Sequence, residues 1–310
     1  MDDLDFSHLA PQPATPPAAA VSAAATPPAA VTATQIPNKA LPVDPHLAAR
    51  FFSIAGEEET VEPGAVIFAE GDRPGAGLFA RKARMYFLLE GQVALTLRGK
   101  PLHLVLPGEH FGELAIISDA PRSATATALR KSRLAAMDEK RVLQALPQVP
   151  EFALQLVSNL TGQMRRSVER LLAARRPVAP RTGGSRLGAT EIAALRRALG
   201  DPVPTPMKQG ETVVNQGATG IYMFVLLEGF AAISVDGAAV EQVGPGETFG
   251  EVALLGATAR AATAVAASDG AWLPVNRDGF LRIVRAQPAI GLALLRSMGE
   301  RVRHLNAQLG

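Results

Sequence analysis

Two short stretches of the chain share a pattern of residues suited to binding a charged ligand. In each, phenylalanine, glycine and glutamate follow one another, and an arginine lies nine positions beyond the glutamate. Arginine offers a planar fork of donors that fits phosphate oxygens, and glycine lets backbone approach a ligand closely. The apolar run after the glutamate can begin a helical turn whose free N–H groups face an anion. The residues are Phe111, Gly112, Glu113 and Arg122 in the first stretch, and Phe249, Gly250, Glu251 and Arg260 in the second.

A glutamate cannot neutralise a phosphate, so in such a site it must bind another group, such as a ribose hydroxyl. The pattern therefore predicts a small anionic sugar-phosphate site that is present twice. A lone Phe-Gly-Glu is weak evidence, whereas two copies with equally spaced arginines are strong evidence. An alternative interpretation is a mutual salt bridge between Arg122 and Glu113 in a pocket without a ligand.

Both stretches resemble the phosphate-binding cassette of cyclic nucleotide-binding domains, a family that includes the regulatory subunit of cAMP-dependent protein kinase and the bacterial catabolite activator protein. The first stretch has the family pattern throughout, and the second departs from it where Ala259 replaces a proline. The resemblance implies that Glu113 and Glu251 bind the ribose 2′-OH. It also implies that Arg122 and Arg260 pair with the cyclic phosphate of cAMP, with cGMP as the alternative ligand. The positions assigned to ligand binding are Gly112, Glu113, Leu114, Ala115, Arg122, Ser123 and Ala124, and then Gly250, Glu251, Val252, Ala253, Arg260, Ala261 and Ala262.

The two cassettes lie in a long internal repeat. Residues that flank each cassette recur at an offset of 138 positions, and two glycines farther upstream recur at an offset of 146. The first copy therefore carries eight extra residues, around positions 76–84. A repeat of this length indicates two homologous domains rather than a solenoid of small units. The pairs are Gly91 and Gly229, Gly108 and Gly246, Glu109 and Glu247, Gly64 and Gly210, and Gly71 and Gly217.

Length, charge and cysteine content exclude several classes of protein. A chain of 310 residues favours two domains, and a net charge of +2 does not indicate nucleic acid or an anionic membrane as a partner. The absence of cysteine excludes disulfides and thiolate sites. No catalytic motif is visible, so we do not expect an enzyme.

Abundant alanine and arginine are typical of a GC-rich genome, which we interpret as a bacterial source. The histidines are scattered without a His-x-His pair, which does not favour a metal site; they are His8, His46, His103, His110 and His304.

Residues 1–45 are predicted to form a flexible tether, because repeated prolines in a sequence of low complexity prevent helix and sheet formation. The acidic start lacks the apolar core of a signal peptide, and no span is long and apolar enough to cross a bilayer. We therefore expect a cytoplasmic protein. Residues 1–9 combine aspartates with Leu4, Phe6 and Leu9, and two interpretations stay open: a solvated tail or a docking motif for an unidentified effector protein.

Short apolar runs separated by glycine turns are typical of an antiparallel barrel or jelly roll. The predicted fold is therefore mainly β with flanking helices, in two tandem jelly-roll-like β-rolls. The expected strand positions are 65–68, 85–89, 93–97, 103–106 and 124–129, with the second barrel at 213–275. The expected helices are 47–52, 139–145 with Asp138 as N-cap, a long helix after Pro150, 190–199, and 280–309.

The long helix after Pro150 carries an apolar stripe whose partner the sequence leaves open: its own barrel, the next domain, or a second chain. Arginines are dense over residues 165–197, and prolines and glycines mark 175–188 as a linker. We interpret these arginines as parts of solvated helix faces and a hinge rather than as a nucleic-acid binding site, because no recognition helix accompanies them. Trp272 is predicted to be a core residue. The stripe consists of Leu156, Val157, Leu160, Met164, Val168, Leu171 and Leu172.

These observations predict domains at 46–174 and 189–310, joined by the linker 175–188. No helix-turn-helix follows the second barrel, so DNA binding is not expected. No Arg-Arg-x-Ala motif lies in the tether, so inhibition of a kinase through such a pseudosubstrate is not expected either. The predicted function is a cyclic nucleotide sensor that regulates a partner protein through rearrangement of its two domains. The alternative is an adaptor protein whose pockets are vestigial.

Overall fold

The computed structural model of the chain describes residues 45–73, 83–118, 121–175, 178, 186–256 and 258–309. The predicted tether up to residue 44, most of the insertion around 76–84 and the middle of the predicted linker lie outside these residues. Within them the predicted fold is confirmed: two tandem antiparallel β-rolls are flanked by helices, and each roll contains two four-stranded sheets.

The first roll has the sheet orders β1-β8-β3-β6 and β2-β7-β4-β5. Its elements are α1 (Pro45–Ala55), β1 (Glu57–Val61), β2 (Val66–Phe68), β3 (Arg84–Glu90), β4 (Val93–Leu97), β5 (Lys100–Val105), β6 (His110–Phe111), α2 (Leu114–Ile117), β7 (Thr125–Ala128), β8 (Ser132–Asp138), α3 (Glu139–Ala145) and α4 (Glu151–Ala173).

The second roll has the sheet orders β15-β12-β18-β9 and β10-β17-β13-β14, with a small sheet of β11 and β16. Its elements are α5 (Ala189–Leu199), β9 (Thr205–Met207), β10 (Thr212–Val214), β11 (Thr219–Gly220), β12 (Tyr222–Glu228), β13 (Ala231–Val235), β14 (Ala238–Val243), β15 (Thr248–Phe249), a 3₁₀ helix (Glu251–Leu255), β16 (Thr258–Ala259), β17 (Thr263–Ala266), β18 (Gly270–Asn276), α6 (Arg277–Ala286) and α7 (Pro288–Leu309).

The sequence repeat is also a structural repeat. Strands β3 and β12, β4 and β13, and β8 and β18 are each separated by the same 138 positions as the two cassettes. The helix that follows each roll begins at a matching cap. The Asp138 carboxylate accepts from the Arg141 N–H at 3.0 Å, and the Asn276 side chain accepts from the Gly279 N–H at 2.8 Å. Each cap side chain accepts a hydrogen bond from an amide that has no partner within the helix. The position of the cap residue therefore fixes where each helix begins.

Two local predictions need correction. The expected single helix over 280–309 is two helices, α6 and α7, with the break at Gln287 (φ −141°, ψ 69°). Proline disfavours helical geometry in the residue before it, and Pro288 therefore separates the two. Strands β1 and β8 were not predicted from apolar runs. Strand β1 is an acidic edge strand, and β8 contains alanines, which give little β signal although they pack well in the core.

The apolar stripe of α4 packs against α7 and against the 3₁₀ helix of the second roll. Its residues Leu156, Val157 and Leu160 are buried there. At the far end of the contact, the Ser167 hydroxyl donates to the Asn306 side-chain oxygen at 2.6 Å. Of the three partners left open by the sequence, the next domain is therefore the one that covers the stripe. This packing brings the helices of both rolls against the cassettes.

Candidate functional site

The arginine of the first cassette is buried and its guanidinium is fixed by backbone carbonyls. Arg122 is 8% exposed. Its Nη1 donates to the Gly112 carbonyl at 3.0 Å and its Nη2 donates to the Arg84 carbonyl at 2.8 Å. The guanidinium carbon lies 4.0 Å from the centre of the Phe68 ring, which adds a cation–π contact. Burial lowers the pKa of Arg122, but an arginine stays charged, so the site holds a positive charge in a fixed orientation.

The glycine of this cassette has a conformation that only glycine adopts easily. Gly112 has φ +77°. A Cβ at this position would lie 2.9 Å from the Arg122 Nη1 and 3.2 Å from the Phe68 ring. The glycine therefore turns the chain out of β6 and also leaves room for the guanidinium against the backbone.

Replacing Gly112 with alanine is expected to destabilise the first roll by about 2–4 kcal/mol, because it combines backbone strain with a contact against the guanidinium. Chemical denaturation of the variant measures this change. The matched control is Gly64→Ala, since Gly64 has a similar φ of +81° but open space around it. In the control, the free energy of unfolding should fall by only about 1–2 kcal/mol, the cost of the strained backbone conformation alone. Equal losses in the two variants would contradict the proposed crowding of Arg122.

Glu113 stands at the start of helix α2, directly after the glycine whose carbonyl accepts from the guanidinium. The amides of Ile116 and Ile117 both donate to the Glu113 carbonyl, at 3.0 and 2.9 Å. The N–H groups before Ile116 are therefore outside the hydrogen bonds of the helix. The Glu113 side chain is half-buried, and no ion pair joins it to Arg122 in the described ranges. The guanidinium therefore contacts backbone carbonyls rather than the Glu113 carboxylate, and a mutual salt bridge stays an untested alternative.

The second cassette repeats the glycine and arginine geometry with different surroundings. Arg260 is 8% exposed, and its Nη1 donates to the carbonyl of Gly250 (φ +76°) at 3.1 Å. The guanidinium lies over the Phe224 ring at 5.3 Å. Strand β11 runs close beside it, so that a Cβ at Gly220 would overlap the guanidinium. Burial lowers the pKa of Arg260 as it does that of Arg122.

The glutamate of the second cassette is engaged by an arginine that sequence analysis missed. Glu251 is 3% exposed, and its Oε1 accepts from Arg301 Nη1 at 2.6 Å and from the Thr248 hydroxyl at 2.7 Å. Arg301 lies on α7, donates through Nε to Glu241 at 2.9 Å and through Nη1 to the Thr248 carbonyl at 3.0 Å. Burial lowers the pKa of Arg301, but Glu241 and Glu251 outweigh this effect and raise it overall. Arg301 is thus the centre of a buried ionic network.

The first roll has no equivalent of this network at the matching positions. In the repeat, Gln163 corresponds to Arg301, His103 to Glu241 and Glu113 to Glu251. The signal for Arg301 was present in the sequence: it lies three residues after Met298 and four before Leu305, on the apolar side of its helix. A charge at such a position indicates a buried partner. The two sites therefore differ in how freely their glutamates can meet a ligand.

The remaining candidate residues line the cassettes in matching places. On the helical turn after each glutamate, Leu114 and Val252 are half-buried, and Ala115 and Ala253 are buried. Directly after each arginine, Ser123 and Ala261 are exposed. The next residue is buried in the first cassette (Ala124) and half-buried in the second (Ala262). Trp272 was predicted to be a core residue; it is half-buried and packs against the core of the second roll, with its ring at 4.7 Å and 83° to Phe224.

His103 and His110 take structural positions. His103 contacts the Glu109 carboxylate at 3.3 Å, and His110 contacts the Asn159 side chain at 3.1 Å. Burial lowers the pKa of His110. In the described ranges no group of histidine and carboxylate side chains is arranged to hold a metal ion. Helices with the length and apolar character needed to cross a membrane are also not found among the described residues.

The sequence model of the cyclic nucleotide-binding domain family matches this chain twice, over residues 58–148 and 204–287. The chain belongs to this family. Each match contains one complete cassette, with Glu113 and Arg122 in the first and Glu251 and Arg260 in the second. The resemblance identified from the cassette residues is therefore confirmed.

Two similar curated proteins are cAMP-dependent protein kinase regulatory subunits. That of Aspergillus fumigatus is 32% identical over 60% of this chain and 41% of its own length, and that of Yarrowia lipolytica is 28% identical over 74% and 54%. The chain thus spans about half the length of these relatives or less. Both are fungal proteins and do not support the bacterial source expected from composition. Among solved structures, the regulatory domain of Toxoplasma gondii PKA with cAMP is 23% identical over 76% of this chain and 87% of that chain, with a TM-score of 0.28.

Proposed function

We propose that the chain is a cytoplasmic sensor that binds cAMP in two sites and thereby regulates a partner protein. The observation that carries the proposal is the duplicated guanidinium, Arg122 and Arg260, each buried and held on the carbonyl of its cassette glycine. Neither forms an ion pair with a carboxylate in the part of the chain that the structure describes. A buried charge with no carboxylate in direct contact is costly, and the phosphate of a cyclic nucleotide would neutralise it.

The carboxylates would recognise the sugar. In the first site, the half-buried Glu113 carboxylate would accept from the ribose 2′-OH, and the free amides at the start of α2 would face the phosphate. In the second site, Arg301 and Thr248 both contact Oε1 of Glu251. Oε2 is then the oxygen that a ribose hydroxyl would reach. The second site would thus bind its ligand beside an existing ionic network.

The partner that we propose is a protein kinase catalytic subunit, because the two curated relatives are regulatory subunits of such a kinase. The chain itself would perform no catalytic step. It would use domains at 46–174 and 189–310 with the linker 175–188, and it would hold the partner without an Arg-Arg-x-Ala pseudosubstrate in residues 1–45. Residues 1–9, the candidate docking motif, lie outside the described part of the structure.

Two intact cassettes predict two bound cAMP molecules per chain. Isothermal titration calorimetry measures the number of sites, and native mass spectrometry of protein purified from its source shows the mass of any retained nucleotide. One site per chain would mean that the second cassette, with Ala259 in place of proline, does not bind. Absence of binding to either cyclic nucleotide would contradict the sensor function and favour the adaptor function.

The residue after each arginine predicts the choice of base. Ser123 carries a hydroxyl that can bond a guanine amino group, whereas Ala261 offers none. We therefore expect cAMP to bind in both sites and cGMP to be accepted only in the first. Competition titrations with the two nucleotides measure this on chains in which the other site is blocked by Arg122→Ala or Arg260→Ala. Equal affinities for cAMP and cGMP in the second site would contradict this role of Ala261, and the control variant Ser123→Ala should remove cGMP from the first.

A further inference from the structure

The outer face of one sheet of the first roll is apolar and exposed. Val66, Leu102, Leu104, Leu106 and Leu129 are each between 44% and 57% exposed. The strand register places Val66 and Leu104 in one row across the sheet: Val66 pairs with Thr127 on β7, Thr127 pairs with Ala94 on β4, and Ala94 pairs with Leu104 on β5. Leu129, whose N–H donates to the Gln92 carbonyl, lies in the next row of this face. We call these five apolar residues the leucine face. Contiguous apolar patches of this kind mark interaction sites rather than ordinary surface.

The fold does not require these residues. In the second roll, the same register joins Thr212, Val265, Ala232 and Gln242. The repeat thus places Thr212 where the first roll has Val66 and Gln242 where it has Leu104. Leu106 and Leu129 are likewise matched by Gly244 and Ala267. Leu102 is the exception, because its counterpart Val240 is apolar and 9% exposed. Since the second roll builds the same sheet with polar or small residues at the other four positions, the four corresponding apolar side chains of the first roll serve something other than folding.

In the strand at the edge of this face, the prolines and leucines are arranged symmetrically about Leu104, whereas His103 and Val105 do not match. Residues 101–107 read Pro-Leu-His-Leu-Val-Leu-Pro, so that prolines and leucines are repeated in mirror order around Leu104. A twofold axis through Leu104 would place Leu102 of one chain against Leu106 of another, and Leu104 against itself. Such self-complementarity is what an isologous dimer interface needs. The prolines at both ends offer no N–H, which prevents the edge from extending into an open-ended ladder.

Charge distribution along the strand fits the same arrangement. Lys100 stands at the beginning of β5 and Glu109 follows its end, and both are at least partly exposed. In an antiparallel alignment about Leu104, the Lys100 end of each chain would lie beside the Glu109 end of the other. Opposite charges at the rim select this alignment over the parallel one, which would bring like charges together.

We propose that the leucine face binds a second copy of this chain, so that two first rolls pack antiparallel about a twofold axis at Leu104. The dimer would bury the leucines at its centre and leave Lys100 and Glu109 at the rim. Both cassettes of each chain would stay outside the contact. The interface does not depend on the proposed nucleotide sensor.

Sedimentation velocity over a series of protein concentrations tests the proposal. The unmodified chain is expected to form a reversible dimer. Leu104→Gln introduces the residue that the second roll carries at the matching position, so the sheet is expected to stay folded, which circular dichroism checks. Loss of this central side chain should raise the dimer dissociation constant about 30-fold or more. Lys100→Glu should weaken the dimer a few-fold by placing a carboxylate beside Glu109 of the second copy.

The control is Val203→Thr, which changes an exposed valine away from the leucine face and should leave the dimer intact. A chain that is monomeric at every concentration would overturn the proposal and would point to another protein as the occupant of the face. A dimer that persists unchanged in Leu104→Gln, or is lost equally in Val203→Thr, would overturn it as well. A dimer strengthened by Lys100→Glu would contradict the antiparallel alignment.

Discussion

Replacing Arg122 with alanine is expected to empty the first nucleotide site and to leave the second site working, and Arg260→Ala is expected to do the converse. A cyclic phosphate keeps one negative charge and loses much of its hydration on entering the roll. Its charge must then be met by the buried guanidinium, where attraction is less screened than in water. Removing one partner of such a pair typically costs about 2–5 kcal/mol, which is roughly 30-fold to several-thousand-fold in affinity.

Nucleotide titration of each single variant measures this loss, together with thermal melts with and without ligand. Lysine at either position is the matched control. It restores the charge but not the planar fork, so it should recover only part of the affinity. Both rolls should stay folded, because each guanidinium is held by main-chain carbonyls at the cassette and contacts the core only through aromatic rings such as Phe68 and Phe224. Variants that bind like the parent and still gain stability from ligand would contradict the assignment of both sites.

Replacing Arg301 with methionine is expected to lower the free energy of unfolding by about 3–5 kcal/mol, the usual cost of removing one partner from a buried ion pair. The Glu251 carboxylate, at 3% exposure, would lose its cation, and Glu241 would lose the Nε donor at 2.9 Å. Methionine keeps much of the volume of the arginine stem, so the loss reports charge rather than a cavity. Urea denaturation followed by circular dichroism measures the change.

The control is Gln163→Met, which makes the same final residue at the matching position of the first roll. Because the repeat places His103 and Glu113 there instead of two buried carboxylates, this variant should change stability by less than about 1 kcal/mol. The double variant Arg301→Met with Glu251→Gln should recover part of the loss, since it removes the buried carboxylate charge of Glu251. Equal effects of Arg301→Met and Gln163→Met would show that the network adds nothing beyond packing.

Much of the fold was predictable because the signals are local. The offset of 138 residues placed both arginines in equivalent structures, and Asp138 marked the start of its helix through a cap made only three residues away. Glycine turns between apolar runs predicted the strands for the same reason. Where local signals were weak, prediction failed: the alanines of β8 gave little β signal, and the effect of Pro288 on the last helix was missed.

The sequence by itself determined the family and the two cassettes with their equally spaced arginines. Only the tertiary structure decided how the two glutamates differ, because Arg301 meets Glu241 and Glu251 across 60 and 50 residues of chain. It also decided that Arg122 donates to the Arg84 carbonyl and that the leucines of β5 face outward. Such contacts form between helices and strands that are far apart in the sequence. The energy of a buried charge depends on the groups that surround it in the folded protein, and residues adjacent in sequence do not reveal these groups.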